Sequence, residues 1–229
     1  MLYYQWVMSM SIKGILFDMD GVLVDSENYS LQKFEEAARC VGKTFGTELF
    51  TMIMGRIAGT SMDVISERLG KENADKVYEI HNDLMIRGYE NHEIPLRDGA
   101  YELITYINEH HIPCALATTN KPYRIQKSFE ASPFGKVPFE HIINGTDNVR
   151  SKPHPDIFIK AAELLDLDVR DCLIVEDSIN GILAAINSGG YALMIPDIAK
   201  PDEYILNNVY CIKKDLHEVL DLIKSLFEA

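Results

Sequence analysis

Two aspartates separated by one residue, Asp18 and Asp20, come directly after a short apolar run, and these are the residues of the chain best placed to do chemistry. Two like charges this close are unfavourable unless a cation lies beside them or one carboxyl keeps its proton. In open α/β sheets, ligands bind at the carboxyl ends of the strands. The pair therefore indicates a divalent metal site, a proton-transferring pair of carboxyls, or both, although Asp20-Gly21 also fits an ordinary solvated turn.

Two further polar groups extend this pattern. Thr118, Thr119 and Asn120 end an apolar run, and a hydroxyl with nearby backbone N–H groups can hold a phosphate oxygen there. Lys152 lies between a serine and a proline, a setting typical of a tight turn. From such a turn the lysine would neutralise a carboxylate and a bound phosphoryl group together, whereas a lysine in a loop is more often simply solvated.

A second acidic pair, Glu176 and Asp177, ends another apolar run. Adjacent acids at the edge of a sheet suit a hard cation bound through oxygen, but Asp177 or Ser178 would also serve as an ordinary helix cap. Each of these groups has an ordinary explanation when taken alone. Together they place acids, hydroxyls, a lysine and acids at successive predicted strand ends along one edge of one sheet, which favours a common site.

Strand-like and helix-like segments alternate along most of the chain. Apolar runs predict strands at residues 12–17, 112–118, 141–144, 172–175 and 191–195. Helical periodicity predicts helices at residues 100–111, 122–131, 155–167, 178–188 and 215–227. This order predicts an α/β fold, with a Rossmann-like three-layer core in which helices cover both faces of a parallel sheet.

Residues 28–94 contain helical patterns and no convincing strand. Apolar stripes predict helices at residues 31–41, 60–69 and 73–89. The segment is too long for an ordinary crossover helix, so we expect an inserted all-α domain. Residues 1–27 and 95–229 then form the α/β core domain.

Composition excludes some classes of partner. The net charge of −13 comes from 35 acidic and 22 basic residues, which disfavours nucleic acid and anionic lipid surfaces as partners. A small phosphorylated ligand stays possible, because one bound cation can reverse the local field. Four widely spaced cysteines are typical of reduced thiols, and no apolar stretch is long enough to span a bilayer. The apolar start lacks the features of a signal peptide. We expect a cytoplasmic monomer.

The chain resembles the haloacid dehalogenase superfamily from about residue 12 to its end, in four motifs taken together: Asp18-x-Asp20-Gly-Val, Thr118, Lys152 and Glu176-Asp177. The inserted helices resemble the small α-helical cap of that superfamily. Residues 20–27 and 152–158 are similar to its β-phosphoglucomutase-like subgroup.

The resemblance implies a mechanism and a cofactor. Asp18 would attack the phosphorus of a phosphomonoester and form an aspartyl-phosphate, and Asp20 would act as the general acid and then the general base. Mg²⁺ would be held by Asp18, the backbone carbonyl of Asp20 and Asp177, with Glu176 as a ligand or close behind.

The resemblance also implies how a small phosphorylated metabolite would be bound. Thr118 would donate a hydrogen bond to a phosphoryl oxygen, with Thr119 and Asn120 beside it. Lys152 would hold the nucleophile and the phosphate in register. Because the acid Asp20 is present, phosphate esters are favoured over carbon–halogen or carbon–phosphorus bonds.

Two departures separate this chain from the sugar phosphomutases of the subgroup. Those enzymes carry a histidine ten residues after the second aspartate, where this chain has Ser30. They also carry Gly-x-x-Arg in a cap loop, where here Arg56 directly follows Gly55 and would contact an anionic or polyol substrate. Water is then the expected phosphoryl acceptor, which predicts a phosphatase acting on a sugar phosphate or sugar-alcohol phosphate. A sugar phosphomutase and a non-catalytic phosphometabolite sensor are the alternatives.

Overall fold

The structure is a computed structural model that describes residues 12–53, 58–130, 132–198 and 200–228, and it describes residues 58–60 by their backbone alone. Its strands are β1 (Gly14–Phe17), β2 (Cys114–Ala117), β3 (His141–Ile143), β4 (Cys172–Glu176), β5 (Tyr191–Met194) and β6 (Cys211–Ile212). All neighbouring strands are parallel, in the order β3-β2-β1-β4-β5-β6.

The helices fall into two groups along the chain. Four of them lie between β1 and β2: α1 (Ser26–Cys40), α2 (Thr47–Ile53), α3 (Ala58–Leu69) and α4 (Lys71–Glu90). The others lie between or after the later strands: α5 (Ala100–Glu109), α6 (Pro122–Glu130), α7 (Asp156–Glu163), α8 (Ile179–Ser188), α9 (Glu203–Asn208) and α10 (Leu216–Phe227). We call the segment Ser26–Glu90 the helical insertion.

The sheet is buried on both faces, as its continuous apolar runs predict. Successive residues of β1 point to opposite faces, so that Phe17 packs in one apolar cluster and Leu16 in another. Residues of α5 and α10 pack in the cluster of Phe17, and residues of α7 and α8 pack in the cluster of Leu16. The predicted three-layer α/β core is confirmed.

The order of the strands reverses at the centre of the sheet. The chain runs from β1 outward through β2 to β3, and then crosses to the other side of β1 to form β4, β5 and β6. Ligands of open α/β sheets bind at such a reversal, outside the carboxyl ends of the strands. The fold therefore provides a binding crevice next to the end of β1.

The helical insertion has an apolar cluster of its own, which includes Phe34, Phe50, Ile65 and Val77. The two chain segments that connect it to the core run side by side. Asp25 N donates to Pro95 O at 2.9 Å, and Arg97 N donates to Leu23 O at 2.9 Å. The guanidinium of Arg97 also pairs with Asp197 at 2.6 Å, and this ion pair stabilises the position of the two connecting segments against the core.

Several element boundaries differ from those expected from the sequence. The helix α7 ends at Glu163 rather than at residue 167, because Asp166 adopts a left-handed backbone conformation that a helix cannot continue. The helix α1 begins at Ser26, two residues before the expected start of the insertion. The sequence analysis did not predict α2, α9 or β6 as separate elements. Among the described helices, none has the length and apolar character needed to cross a membrane.

Two sequence-based expectations concern residues that the structure does not describe. The apolar start of the chain lies in the first eleven residues, outside the described ranges. Gly55 and Arg56 fall between residues 53 and 58, also outside the described ranges. Their expected contact with substrate stays a prediction.

We expect truncation of Leu116 in β2 to test the packing of the sheet. Leu116 is fully buried, so Leu116→Ala removes apolar contacts and leaves a cavity, which costs about 2–5 kcal/mol of unfolding free energy. Leu206→Ala is the matched control, because Leu206 is 55 % exposed and its loss should change stability by no more than about 0.5 kcal/mol. Urea unfolding of both variants measures the difference. Equal stabilities would contradict the described core.

Candidate active site

Three polar side chains meet because three adjacent strands end at the same edge of the sheet. Asp18 follows β1, Thr118 follows β2 and Asp177 follows β4. The register pairs Phe17 with both Leu116 and Val175, so these three ends lie at one level. All three polar side chains are buried. The convergence expected from the sequence is therefore present for these residues.

Lys152 reaches the same point by a different path. The sequence analysis placed it at a strand end, but it lies in the loop between β3 and α7, nine residues after Ile143. A strand end on the outer strand β3 would be too far from β1, so a long loop carries the lysine back to the centre. Its Nζ donates to Asp18 Oδ1 at 2.6 Å and to Glu176 Oε1 at 2.6 Å.

Glu176 is fully buried, and both oxygens of its carboxylate accept hydrogen bonds. Oε1 accepts from Lys152, and Oε2 accepts from Asp177 N at 2.9 Å, Ser178 N at 2.9 Å and Ser178 Oγ at 3.0 Å. Gly181 makes room for this carboxylate, because a Cβ at that position would lie 1.7 Å from Glu176 Oε1. The contacts of Glu176 suit a residue that orients Lys152.

Ser178 has the ordinary role that the sequence allowed. Its Oγ accepts from Gly181 N at 3.1 Å, so it caps the N-terminus of α8. Gly189 then ends α8 in a left-handed conformation, as a glycine at that position predicts.

The carboxylates of Asp18, Glu176 and Asp177 form a buried acidic cluster, with one oxygen from each lying within 4.8 Å of the others. Lys152 balances one of the three carboxylate charges, which leaves two negative charges when all three groups are ionised. Burial raises the pKa of Asp18 to about 7, although Lys152 lowers it and Glu176 raises it further. Burial also raises the pKa of Asp177 well above its ordinary value, as do Glu176 and Asp18. Three oxygen donors with this excess of charge fit a hard divalent cation such as Mg²⁺.

Gly21 allows the loop after β1 to approach the carboxylate of Asp177. Its φ of +74° is in the left-handed region, and a Cβ there would lie 2.1 Å from Asp177 Oδ2. Any other residue would be strained and would also displace this carboxylate. The Asp-Gly pair is therefore more than a solvated turn here, because the glycine brings the backbone of the Asp20 loop against the acidic cluster.

Asp20 is held from two sides. Ser26 Oγ donates to Asp20 Oδ1 at 2.6 Å, and the Asn120 amide donates to Asp20 Oδ2. Ser26 was missed as a site residue, since it lies before the helix predicted at residues 31–41 and only the fold brings its hydroxyl to Asp20. Glu27 was missed as well: burial, followed by the charge of Asp20, raises the pKa of its carboxyl to about 8, so it keeps its proton at neutral pH.

The residues after β2 divide between two spaces. Thr118 and Thr119 line a small cleft of about 160 Å³ together with Lys152. Thr118 is buried and Thr119 is exposed. Asn120 instead faces a larger cavity of about 320 Å³. Thr118, Thr119 and Asn120 were predicted as one group, but the two threonines line the small cleft and Asn120 lines the larger cavity.

The larger cavity lies between the α/β core and the helical insertion. Asp20, Asn120 and Arg124 line it from the core, and residues of α1, α2, α3 and α4 line it from the insertion. No motif in the sequence indicated its insertion side, because the lining residues are scattered over separate helices.

Comparison with known proteins identifies relatives of similar length. The chain is 29% identical over 208 residues to the plasmid-encoded protein CbbY of Cupriavidus necator, covering 84% of this chain and 80% of that protein. It is 29% identical over 211 residues to hexitol phosphatase A of Escherichia coli, covering 92% of this chain and 94% of that protein.

A solved structure shares the fold. A HAD family hydrolase from Deinococcus radiodurans, crystallised with bound phosphate and sodium, superposes with a TM-score of 0.78 at 21% identity, covering 95% of this chain and 97% of that one. The family profile described as haloacid dehalogenase-like hydrolase matches residues 12–189, which contain all four motifs. The chain therefore belongs to the haloacid dehalogenase-like hydrolases.

Proposed function

We infer that this protein is a phosphatase that hydrolyses a small phosphomonoester, such as a sugar phosphate or sugar-alcohol phosphate, through an aspartyl-phosphate on Asp18. The observation that carries the inference is the contact of Lys152 with both Asp18 and Glu176, beside Asp177 at the strand reversal. The similarity to hexitol phosphatase A of Escherichia coli over nearly the whole chain supports it.

In the first step, an oxygen of Asp18 attacks phosphorus, a P–O bond to the enzyme forms, and the bond to the leaving oxygen breaks. The ammonium of Lys152, 2.6 Å from Asp18 Oδ1, offsets the charge of the approaching phosphate. The hydroxyl of Thr118, which lines a small cleft together with Lys152, would donate to a phosphoryl oxygen. Asp20 gives its proton to the leaving oxygen.

In the second step, Asp20 takes a proton from water as the water attacks phosphorus and the bond to Asp18 breaks. Asp20 must therefore hold and lose a proton in turn without losing its position. The Ser26 hydroxyl is suited to this exchange, because it donates to the carboxylate and accepts from the protonated acid. The Asn120 amide keeps the other oxygen in place throughout.

Asp18, Asp177 and the backbone carbonyl of Asp20 would hold Mg²⁺, with Glu176 behind them because its oxygens are already occupied by hydrogen bonds. When bound, the ion supplies positive charge that lets an anionic phosphate meet an anionic nucleophile. The helical insertion would act as the cap. Its α1 and α4 wall the cavity next to Asp20 and exclude bulk water from the leaving group.

A sugar phosphomutase is the main alternative. The position of the mutase histidine is Ser30, but Ser30 Oγ lies 3.0 Å from Nε2 of His81 on α4, so an imidazole is near this position from another helix. The imidazole of His81 is the observation that favours a mutase. Water as the phosphoryl acceptor stays the proposal, because no imidazole follows Asp20 at the mutase spacing. A sensor is disfavoured, since every catalytic motif residue is intact.

Phosphate release from a panel of sugar and sugar-alcohol phosphates, with Mg²⁺ present, tests the proposed function. We expect the wild-type protein to turn over steadily and Asp18→Asn to lose at least about 10³-fold in kcat, because the amide is not a nucleophile. Circular dichroism should show that the variant stays folded, since the amide has nearly the shape of the carboxyl and Lys152 keeps Glu176 as a buried partner.

Each alternative has its own result in that assay. Isomerisation of a sugar phosphate that requires a bisphosphate primer would indicate a mutase. Binding of sugar phosphates without turnover would indicate a sensor. Wild-type turnover by Asp18→Asn would contradict the assignment of the nucleophile.

The role of Asp20 predicts a particular kinetic pattern in Asp20→Asn. An ester with a good leaving group, para-nitrophenyl phosphate, needs little proton donation in the first step but still needs a base in the second. We expect a burst of about one equivalent of nitrophenolate followed by a steady rate lowered about 10²–10⁴-fold, measured by stopped-flow absorbance. A normal steady rate without a burst would remove the acid–base role from Asp20.

The acidic cluster predicts a stability change on metal binding that depends on pH. The pKa of Asp18 is raised to about 7 in the folded protein, so the metal-free fold loses stability as pH rises from about 4 through about 7 and this group ionises. The raised pKa of Asp177 acts in the same direction. Mg²⁺ should therefore raise the Tm more at pH 8 than at pH 5. Asp177→Asn should abolish most of this shift, as differential scanning fluorimetry would measure.

Asp63→Asn provides the matched control for the metal experiment, because Asp63 is an exposed acid on α3. It should keep the wild-type response to Mg²⁺. A Mg²⁺ shift that is equal in Asp177→Asn and in the wild type would show that the ion binds elsewhere.

A further inference from the structure

Ser30 and His81 form a polar pair inside the helical insertion, and no motif had indicated such a pair. Ser30 is on α1 and His81 is on α4, and Ser30 Oγ lies 3.0 Å from His81 Nε2. Both residues line the cavity of about 320 Å³ that also contacts Asp20. Because Asp20 protonates the leaving oxygen in the proposed reaction, the occupant of this cavity is the leaving alcohol.

The geometry of His81 defines its chemical state. The residue is 7 % exposed, and its ring stacks on Phe34 with centroids 3.5 Å apart. Burial and the nearby Arg124 lower the pKa of His81 to about 4, against an opposing effect of Asn82, so the ring is neutral at physiological pH. A neutral ring has one N–H donor and one acceptor nitrogen, and the contact with Ser30 occupies one of them.

The second ring nitrogen shows which tautomer is favoured. Nδ1 is buried and has no hydrogen-bond partner within the described residues. Buried N–H groups without a partner are rarer in proteins than buried acceptors without one. We therefore assign the proton to Nε2, which then donates to Ser30 Oγ. The hydroxyl hydrogen of Ser30 is left free to donate to a ligand, and Ser30 is only partly buried.

The lining of the cavity indicates the chemistry of its ligand. Arg124 is the one cationic side chain among the described residues of the lining, and the acids Asp20 and Glu27 lie in the same lining. Glu27 keeps its proton at neutral pH, and Asp20 carries one when it acts as the general acid, so both carboxyls can donate and accept hydrogen bonds. Hydroxyl groups of a ligand suit these surroundings, and Phe34 and Phe50 lie in the same lining, where they can cover a carbon chain.

We propose that Ser30 donates a hydrogen bond to a hydroxyl of the leaving alcohol, that His81 is the positioning residue that fixes the Ser30 hydroxyl, and that the leaving alcohol is a polyol. This inference rests on the proposed phosphatase function, which it makes more specific. The pair thereby selects among phosphomonoesters without taking part in phosphoryl transfer.

The test compares two esters in the same variants. Sorbitol 6-phosphate carries the hydroxyls that Ser30 would bind, and para-nitrophenyl phosphate carries none on its leaving group. The measured quantity is the ratio of kcat/KM for the first ester to kcat/KM for the second. We expect Ser30→Ala to lower this ratio about fivefold to tenfold, the effect of losing one neutral hydrogen bond.

Variants of His81 separate positioning from packing. His81→Phe keeps a ring to stack on Phe34 but removes the contact with Ser30, so we expect a similar fall in the ratio. His81→Gln places an amide near the position of Nε2 and should restore part of the ratio. In the double variant Ser30→Ala/His81→Phe, the ratio should fall no further than in Ser30→Ala alone, because both changes remove the same hydrogen bond.

The control is Ser66→Ala, which removes a serine hydroxyl from α3 outside the cavity lining and should keep the wild-type ratio. An unchanged ratio in Ser30→Ala and His81→Phe would overturn the inference, and so would equal losses on both esters, which indicate a packing role. Absence of phosphate release from every ester would instead refute the phosphatase function itself, and the inference with it.

Discussion

The site depends on one buried ammonium group. Lys152 lies between the carboxylates of Asp18 and Glu176, and although burial lowers its pKa, these two carboxylates raise it above the ordinary value, so it stays charged. Removing one member of such a buried ion pair typically costs about 3–5 kcal/mol. Lys152 balances only one charge of the cluster that Asp177 completes, and the remaining negative charge is what makes the crevice receptive to a divalent cation.

Two glycines make this concentration of charge sterically possible. Gly21 lets the loop after β1 approach the carboxylate of Asp177, and Gly181 lets α8 approach the carboxylate of Glu176. The acids lie at the strand reversal because β4 returns beside β1 after the chain has built the other half of the sheet. The order of the strands therefore brings the carboxylates together. The lack of a side chain at Gly21 and Gly181 lets the backbone pack closely against them.

The sequence predicted the parts of the site that follow from strand geometry. Asp18, Thr118 and Asp177 had to meet, because the carboxyl ends of adjacent parallel strands share one edge. The predicted position of Lys152 at a strand end was wrong, because the long loop after β3, and not the order of the strands, brings it to Asp18. The strand β6, Cys211–Ile212, escaped prediction because two residues carry no periodicity. Gly181 lies inside a predicted helix and Ser26 lies before one, and only tertiary contacts give them a role.

The least predictable feature is the connection between the helical insertion and the acid Asp20. Ser26, the first residue of α1, donates to one oxygen of Asp20, and Asn120, just after β2, donates to the other. One of these donors begins the insertion and the other belongs to the core. The orientation of Asp20 therefore depends on how the insertion sits against the core, and the same placement sets the width of the cavity next to Asp20. In the proposed reaction, proton transfer and selection of the leaving group would both depend on the position of the helical insertion, although the residues involved are remote in the sequence.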